Sequence, residues 1–284
     1  MTTLAKTIPS IQTTRSSRRS LILTVVGILL TALMLFPFYL ILNYSLMDQI
    51  DILRYPPPLF PPQITFDGYR EAFEVVGPFI RSSLIYGFGT MVVTMMIAAP
   101  AAYALSRMRS RVSMALMLVL LLAQMAPGIV VVSSLYALFT KLGILNSYLA
   151  VILADSTAAV PFAIIVMRAF MLGIPRELSE AAMVDGAGHW TIFTAIILPI
   201  SRTAIITAAL FAFLAGWGDF MMALILYPAS KPITVGIYYF IGSYSTDWPS
   251  VMAVAIIAAV PAIILLAAAQ RYIAAGITAG AVKE

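Results

Sequence analysis

The chain has 284 residues, of which 62% are hydrophobic and 10% charged, with a net charge of +5 and a mean hydropathy of +0.99. No soluble domain of this length has a core large enough to hide so much apolar surface, so a membrane solvent is required. Cysteine is absent, which excludes a disulfide framework, a thiolate metal site and a cysteine nucleophile. The basic residues sit at the ends of apolar runs instead of on one polar face, which argues against nucleic acid as a partner.

In chain order, residues 1–19 form a Ser- and Thr-rich tail ending in Arg15, Arg18 and Arg19, directly before an apolar run at 21–42. A secretory core has ~7 to 15 apolar residues before a small-x-small cleavage site. The run here has 22 and continues into Phe36-Pro37-Phe38-Tyr39, so it reads as an uncleaved first span, with residues 20–284 as the membrane domain. A hydrocarbon core ~30 Å thick needs ~20 helical residues. Six segments supply them: 21–42, 82–105, 112–138, 149–171, 203–226 and 249–270. These runs are too long and continuous for barrel strands, and backbone satisfaction in lipid makes them helices. The third holds Met125-Ala126-Pro127-Gly128 near its middle, which predicts a kink or an unwound turn. The loop at 45–81 carries Pro56, Pro57, Pro58, Pro61 and Pro62 and is expected to be partly extended; the loop at 227–248, with Asp247, reads as shaped.

Placing the N-terminus in the cytoplasm puts Lys6, Arg15, Arg18, Arg19, Arg107, Arg109, Arg111, Arg168, Arg176, Arg202, Arg271 and Lys283 inside. Arg54, Arg70, Arg81, Lys141 and Lys231 fall outside. This division, 12 against 5 of the 17 basic residues, favours both termini inside, and the trio Arg107, Arg109 and Arg111 is its strongest component.

The inside loop at 172–202 contains Pro175-Arg176-Glu177-Leu178-Ser179-Glu180-Ala181-Ala182-Met183-Val184-Asp185-Gly186. Pro175 suits the first helical position, Glu177 and Glu180 complement the positive end of a helix, and Gly186 suits its stop. A helix of ~10 residues would be ~15 Å long, too short to cross a bilayer. Leu178, Ala181 and Ala182 fall at i, i+3 and i+4, a narrow face of small apolar groups bordered by Glu180 and Asp185. Small residues allow close approach and carboxylates bond a basic partner, which suits a helix seated in another protein's groove. An ordinary surface helix joining two spans is the alternative.

Glu180-Ala181-Ala182, followed at the proper spacing by Gly186, Ile196 and Leu198-Pro199, is similar to the EAA signature of ABC importer permeases. The wider run Asp185-Gly186-Ala187, with Phe193 and Ile196-Ile197-Leu198-Pro199, resembles the carbohydrate-uptake branch, specifically the second permease of maltose-type systems. Phe66-Asp67-Gly68-Tyr69, Trp217-Gly218-Asp219-Phe220 and the C-terminal Gly276-Ile277-Thr278 carry the same likeness, while Ser201-Arg202-Thr203 departs from it by lacking an extra proline.

The resemblance implies an all-α integral membrane fold with six transmembrane helices, the type I ABC importer permease (MetI-like) architecture, and a cytoplasmic coupling helix. It implies a multi-pass protein of the bacterial cytoplasmic (inner) membrane. Its implied partners are a second permease subunit, two nucleotide-binding ATPase subunits, an extracytoplasmic solute-binding protein and membrane lipid. ATPase coupling then falls to Glu177, Leu178, Glu180, Ala181, Ala182, Asp185, Gly186, Leu198 and Pro199, with Glu180 meeting a basic residue of the ATPase. The outer loop Gly242, Ser243, Tyr244, Ser245 and Thr246 is the expected contact with the binding protein. None of the four lysines stands in a Gly-x-x-x-x-Gly-Lys-Ser/Thr motif, so no cofactor is expected on this chain, no enzymatic activity of its own, and ATP and Mg belong on partner subunits.

Polar groups inside the spans are the remaining candidates. Asp219 falls ~22 Å from the inner end of the fifth span, and Asp155 about two turns inside the outer end of the fourth. An ionised carboxylate at mid-bilayer costs ~2.5 to 3.5 kcal/mol, so each either meets solute hydroxyls in a wet pathway or ties helices together. Trp217 either stacks on a sugar face or anchors at the membrane interface. Gln124 and Met125 beside the Pro127-Gly128 break are pathway candidates, because irregular backbone at depth lines cavities. His189 is the only histidine and no metal site is expected; the 16 methionines read as packing. Rival readings are a permease for polyamines, glycerol phosphate or another small solute, and an ion-coupled secondary transporter, which calls for a carboxylate pair at the midplane. An intramembrane hydrolase lacks any Ser/His, metal-ligand or paired-carboxylate constellation at depth.

Overall fold

The computed structural model describes residues 14–108, 111–241 and 246–281. Among them, the one strand-like pairing is an isolated bridge between Ile241 and Thr246, and regular structure is otherwise helical. The main helices are α1 (Thr14–Tyr44), α2 (Asp67–Arg107), α3 (Arg111–Ala123), α4 (Gly128–Leu142), α5 (Tyr148–Met171), α6 (Glu177–Val184), α7 (Arg202–Trp217), α8 (Met221–Leu226) and α9 (Trp248–Ala281). Four of these, α1, α2, α5 and α9, are long and apolar enough to cross a membrane, and counting each of two bent pairs as one span gives six.

Several boundaries differ from the hydropathy reading, each for a local reason. The third run is two helices meeting at 98°, with residues 124–127 between them. Pro127 is the cap residue that starts α4, where its missing N–H leaves no donor unpaired. The fifth run, 203–226, is not one helix. It stops at Trp217 because Asp219 turns both carboxylate oxygens onto the N–H groups of Met222 (3.1 Å) and Ala223 (2.7 Å), which starts α8. The outer loop expected at 45–81 is shorter, since α2 already begins at Asp67. At 41 residues and 1.5 Å per residue, α2 is about 62 Å long, roughly twice the hydrocarbon thickness, so it is longer than a single crossing needs. The sixth run likewise lies within a longer helix, α9, of 34 residues.

The core is a seam of small side chains where α2, α5 and α7 cross. Ala98, Ala99 and Ala102 of α2 meet Ala163 and Met167 of α5 and Ala204 and Ala208 of α7, all buried. Lipid supplies no hydrophobic drive for helix association, so van der Waals contact at short range must hold such helices together. Gly216 shows how short that range is: a Cβ there would lie 2.6 Å from the Tyr86 carbonyl oxygen and 2.9 Å from Thr90 Oγ1.

The helix ends form two distinct surfaces. At the proline-rich end, Tyr86 donates to the Ser230 carbonyl (2.8 Å), Ser230 Oγ pairs with Ser82 Oγ (2.9 Å), and the Ile233 N–H donates to Ser83 Oγ (2.9 Å). At the other, arginine-rich end, the ends of α2, α3 and α5 meet the segment that carries α6.

Candidate functional site

The segment from Leu172 to Ser201 is fastened to the bundle at both ends and exposes one helix between them. Ile174, Ile192, Phe193 and Ile197 are buried in the seam cluster, with Ala182 and Ala187 packed against it. Helix α6 begins where the Arg176 carbonyl accepts the N–H groups of Ser179 (2.9 Å) and Glu180 (3.0 Å), so Pro175 lies just before the helix and not at its first position. It stops at Gly186, whose φ of +86° is open to glycine at little steric cost. Paired bonds from Ala187 N–H to the Ala182 carbonyl (2.9 Å) and from Gly186 N–H to the Met183 carbonyl (3.0 Å) close the end as a Schellman motif.

Of the eight residues of α6, Glu177, Leu178, Glu180, Ala181, Met183 and Val184 are exposed, as is Asp185 just beyond its end, and Val184 retains 88% of its accessible surface. Ser179 and Ala182 turn toward the bundle, Ser179 buried and Ala182 half-buried. The face read from the sequence as Leu178, Ala181 and Ala182 is therefore split: two of the three are free to meet another surface, and Ala182 fixes the helix to its own chain. Beyond α6 the chain continues through His189 and Trp190, the latter 72% exposed, into a π-helical turn at Ile192–Ile197. Leu198 is half-buried and Pro199 exposed. An 82° bend at the buried Ser201 then starts α7.

The pathway candidates converge only in part. Trp217 is 4% exposed; its Nε1–H donates to the Ala258 carbonyl (3.0 Å) and its ring stacks on Phe213, so it ties α7 to α9. Asp219 is committed to starting α8. Asp155 is 7% exposed, and its Oδ2 has no hydrogen-bond partner. Gln124 and Met125 are exposed in the bend between α3 and α4. Asp155 and Asp219 both border the cluster of Tyr86, Ala154, Ala223 and Leu226, so the structure brings those two near one buried region.

Of the loop residues at the proline-rich end, Gly242, Ser243, Tyr244 and Ser245 lie outside the described residues. Thr246 is described, and the C-terminal base of that loop is held by a residue the sequence reading missed. Gln49 donates through Nε2 to the Thr246 carbonyl (2.7 Å) and accepts from the Trp248 N–H (2.9 Å). With the Ile241–Thr246 bridge and the Asp247 N–H to Phe240 carbonyl bond (3.0 Å), this holds both ends of the loop together. Nothing local to Gln49 signals this, because its partners lie almost 200 residues away.

Residues 91–279 match the family described as "Binding-protein-dependent transport system inner membrane component". The probable ABC transporter permease protein y4oR of Sinorhizobium fredii is 33% identical over 278 residues, covering 96% of this chain and 99% of that one. The trehalose/maltose transport system permease protein MalG of Thermococcus litoralis is 31% identical, covering 92% and 96%. In three dimensions the chain is similar to one from the crystal structure of a bacterial ABC transporter involved in the import of the acidic polysaccharide alginate, with a TM-score of 0.75 at 20% identity over 93% of this chain and 99% of that chain. With an apolar helical bundle, a fastened short helix between its spans and these likenesses together, the chain belongs to the family of binding-protein-dependent transport system inner membrane components.

Proposed function

We propose that this chain is a permease subunit of a binding-protein-dependent ABC importer for a sugar, oligosaccharide or sugar derivative. It forms half of the translocation pathway and receives the motion of an ATPase through α6. The observation that carries this reading is the face of α6: Leu178 and Ala181 stand exposed between Glu177, Glu180 and Asp185, on a helix whose other face is packed on the bundle. A short helix fixed on one side and bare on the other transmits displacement, because the attachment at Ala182, Ala187 and Ile192 moves with it. Its carboxylates suit a basic groove on the ATPase, and its small apolar residues let the two backbones approach.

The remaining parts of the reading follow from this placement. The end of the bundle bearing α6 is cytoplasmic, as the distribution of basic residues favours. ATP and Mg are held by two nucleotide-binding subunits, a second permease completes the pathway, and an extracytoplasmic binding protein meets the loop clamped by Gln49. The sugar assignment rests on the trehalose/maltose relative and on spans with few charges. An ion-coupled transporter has little support here, because it leaves the exposed acid-flanked face of α6 without a partner.

The chain has no cysteine, so a single substitution reports its surroundings without background. In Ala181→Cys, an impermeant thiol reagent should label the protein in inside-out vesicles, and the co-expressed ATPase should protect it. Labelling confined to right-side-out vesicles, or uphill solute uptake by the purified chain alone, would overturn the reading. The solute class is tested by competition for uptake in proteoliposomes holding the complete importer, with trehalose, maltose and longer oligosaccharides against spermidine and glycerol 3-phosphate.

A further inference from the structure

At the arginine-rich end lies a cavity of about 780 Å³, bounded by the ends of α2, α3 and α5 and by the strand of chain that leads into α6. This volume falls within the ~300 to 1,000 Å³ usual for ligand sites. Its lining includes four arginines, Arg107, Arg111, Arg168 and Arg176, with Glu177 as the sole carboxylate. Among the described residues the ion pairs are Arg54–Asp51 and Arg70–Asp67, and no carboxylate lies within ion-pair distance of these four guanidinium groups.

Three of the four arginines are held in place by the chain itself. Arg107 Nη1 donates to the Ile174 carbonyl (3.3 Å), Arg168 Nε to the Leu105 carbonyl (3.3 Å), and Arg176 Nη2 to the Arg107 carbonyl (3.0 Å). The Arg107 guanidinium also lies over the Tyr103 ring at 5.6 Å. These contacts position the groups without neutralising them. They also leave the Nε and Nη2 donors of Arg107 buried with no acceptor. Buried polar groups without partners are rare, and those that occur call for an explanation. Four cations around one cavity, with orphaned donors among them, form a receptor for an oxyanion whose oxygens accept several N–H bonds at once.

We propose that this cavity holds the phosphodiester headgroup of an anionic glycerophospholipid from the leaflet at the arginine-rich end, which the functional reading above makes the cytoplasmic one. Two observations favour a lipid over a protein carboxylate. The lip of the cavity is apolar and open, with Met108, Met114 and Leu172 exposed, Met114 by 76%, which gives acyl chains a surface to follow. The adjacent docking face of α6 is acidic, so an ATPase surface complementary to it is basic and is the wrong partner for four arginines. Basic pockets between membrane helices are suited to anionic headgroups. The bound phosphodiester bridges the ends of α2 and α3 to the segment preceding α6, which stiffens the base of the docking helix.

The full-length purified chain is tested in mixed micelles of phosphatidylcholine and phosphatidylglycerol, with retained lipid read by native mass spectrometry. The expected result is at least fivefold enrichment of phosphatidylglycerol over its share of the mixture, reduced to no enrichment in Arg111→Gln and preserved in Arg111→Lys. Arg111 stands exposed at the lip, so its loss leaves the buried contacts intact. Equal retention of both lipids by the unsubstituted chain overturns the proposal without any variant. Displacement of phosphatidylglycerol by millimolar inorganic phosphate, with phosphate bound in its place, overturns the lipid source in favour of a soluble anion. Unchanged lipid retention in Arg111→Gln overturns it as well. Because lipid retention is measured without transport, its failure is distinct from a failure of the importer reading, which the Ala181→Cys labelling addresses separately.

Discussion

Small residues serve opposite ends in two regions of this chain. In the seam of α2, α5 and α7, alanines are buried against one another, and Gly216 lets α7 approach the backbone of α2 at Tyr86. On α6, Ala181 is as small but stands exposed beside Leu178, with carboxylates around it. The seam therefore holds the molecule together, and α6 offers the same kind of close approach to a different protein. The difference teaches that residue size is a permission for contact, and that burial decides whose contact it is. Substitutions should separate the two: those in the seam act on the folded chain, and those on α6 act on coupling.

The largest effect on the folded chain is expected from Gly216→Ala. The new Cβ would meet the Tyr86 carbonyl at 2.6 Å, backbone that has no free rotamer to yield. Overpacking of this kind costs about 1–3 kcal/mol or more, and it should lower the unfolding temperature of the purified protein and the amount found in membranes. Normal yield and thermal stability would show that the seam is looser than these distances indicate.

Glu180→Lys should do the reverse, leaving insertion and unfolding temperature unchanged while ATP-driven uptake falls about tenfold or more. One charge-assisted hydrogen bond contributes about 1.5–3 kcal/mol, and 1.4 kcal/mol is a factor of ten. Uptake at the unsubstituted level would remove the coupling role from α6.

A smaller effect is expected from Trp217→Phe, which keeps the stack on Phe213 but loses the bond to the Ala258 carbonyl. That loss should destabilise the chain by about 1 kcal/mol, with the KM for solute unchanged. A KM shift at constant stability would return Trp217 to the solute pathway.

The smallest is Leu30→Ala on α1. Although α1 is among the most apolar helices, none of its most apolar window is covered by the rest of the chain, whereas half of the corresponding window in α5 is buried. The substitution should change the stability of the isolated chain by less than about 0.5 kcal/mol. A large loss seen only in the assembled importer would identify this face of α1 as an intersubunit contact.

What could be read from the sequence follows from how local the physics is. The position of α6, its stop at Gly186 and the break at Pro127 each depend on a few consecutive residues, and they were legible. The end of α7 was legible in principle, since Asp219 carries a capping side chain three residues before Met222. The unbroken hydropathy of 203–226 concealed it, because an apolar run has no period that marks a break. Gln49 and the arginine cavity were not legible at all. Their parts are separated by up to almost 200 residues in one case and about 70 in the other, and the arginines carried only a topological meaning.

The sequence by itself determined the solvent, the helical character of the spans and the short acid-flanked helix between two of them, because composition and backbone satisfaction in lipid admit no other arrangement. The tertiary structure alone decided that Ala182 faces inward while Ala181 faces out, that Trp217 ties α7 to α9, and that four arginines surround one cavity. Helical period fixes which residues share a face, but the rotation of each helix about its axis is set by its neighbours, and that rotation decides what the face meets.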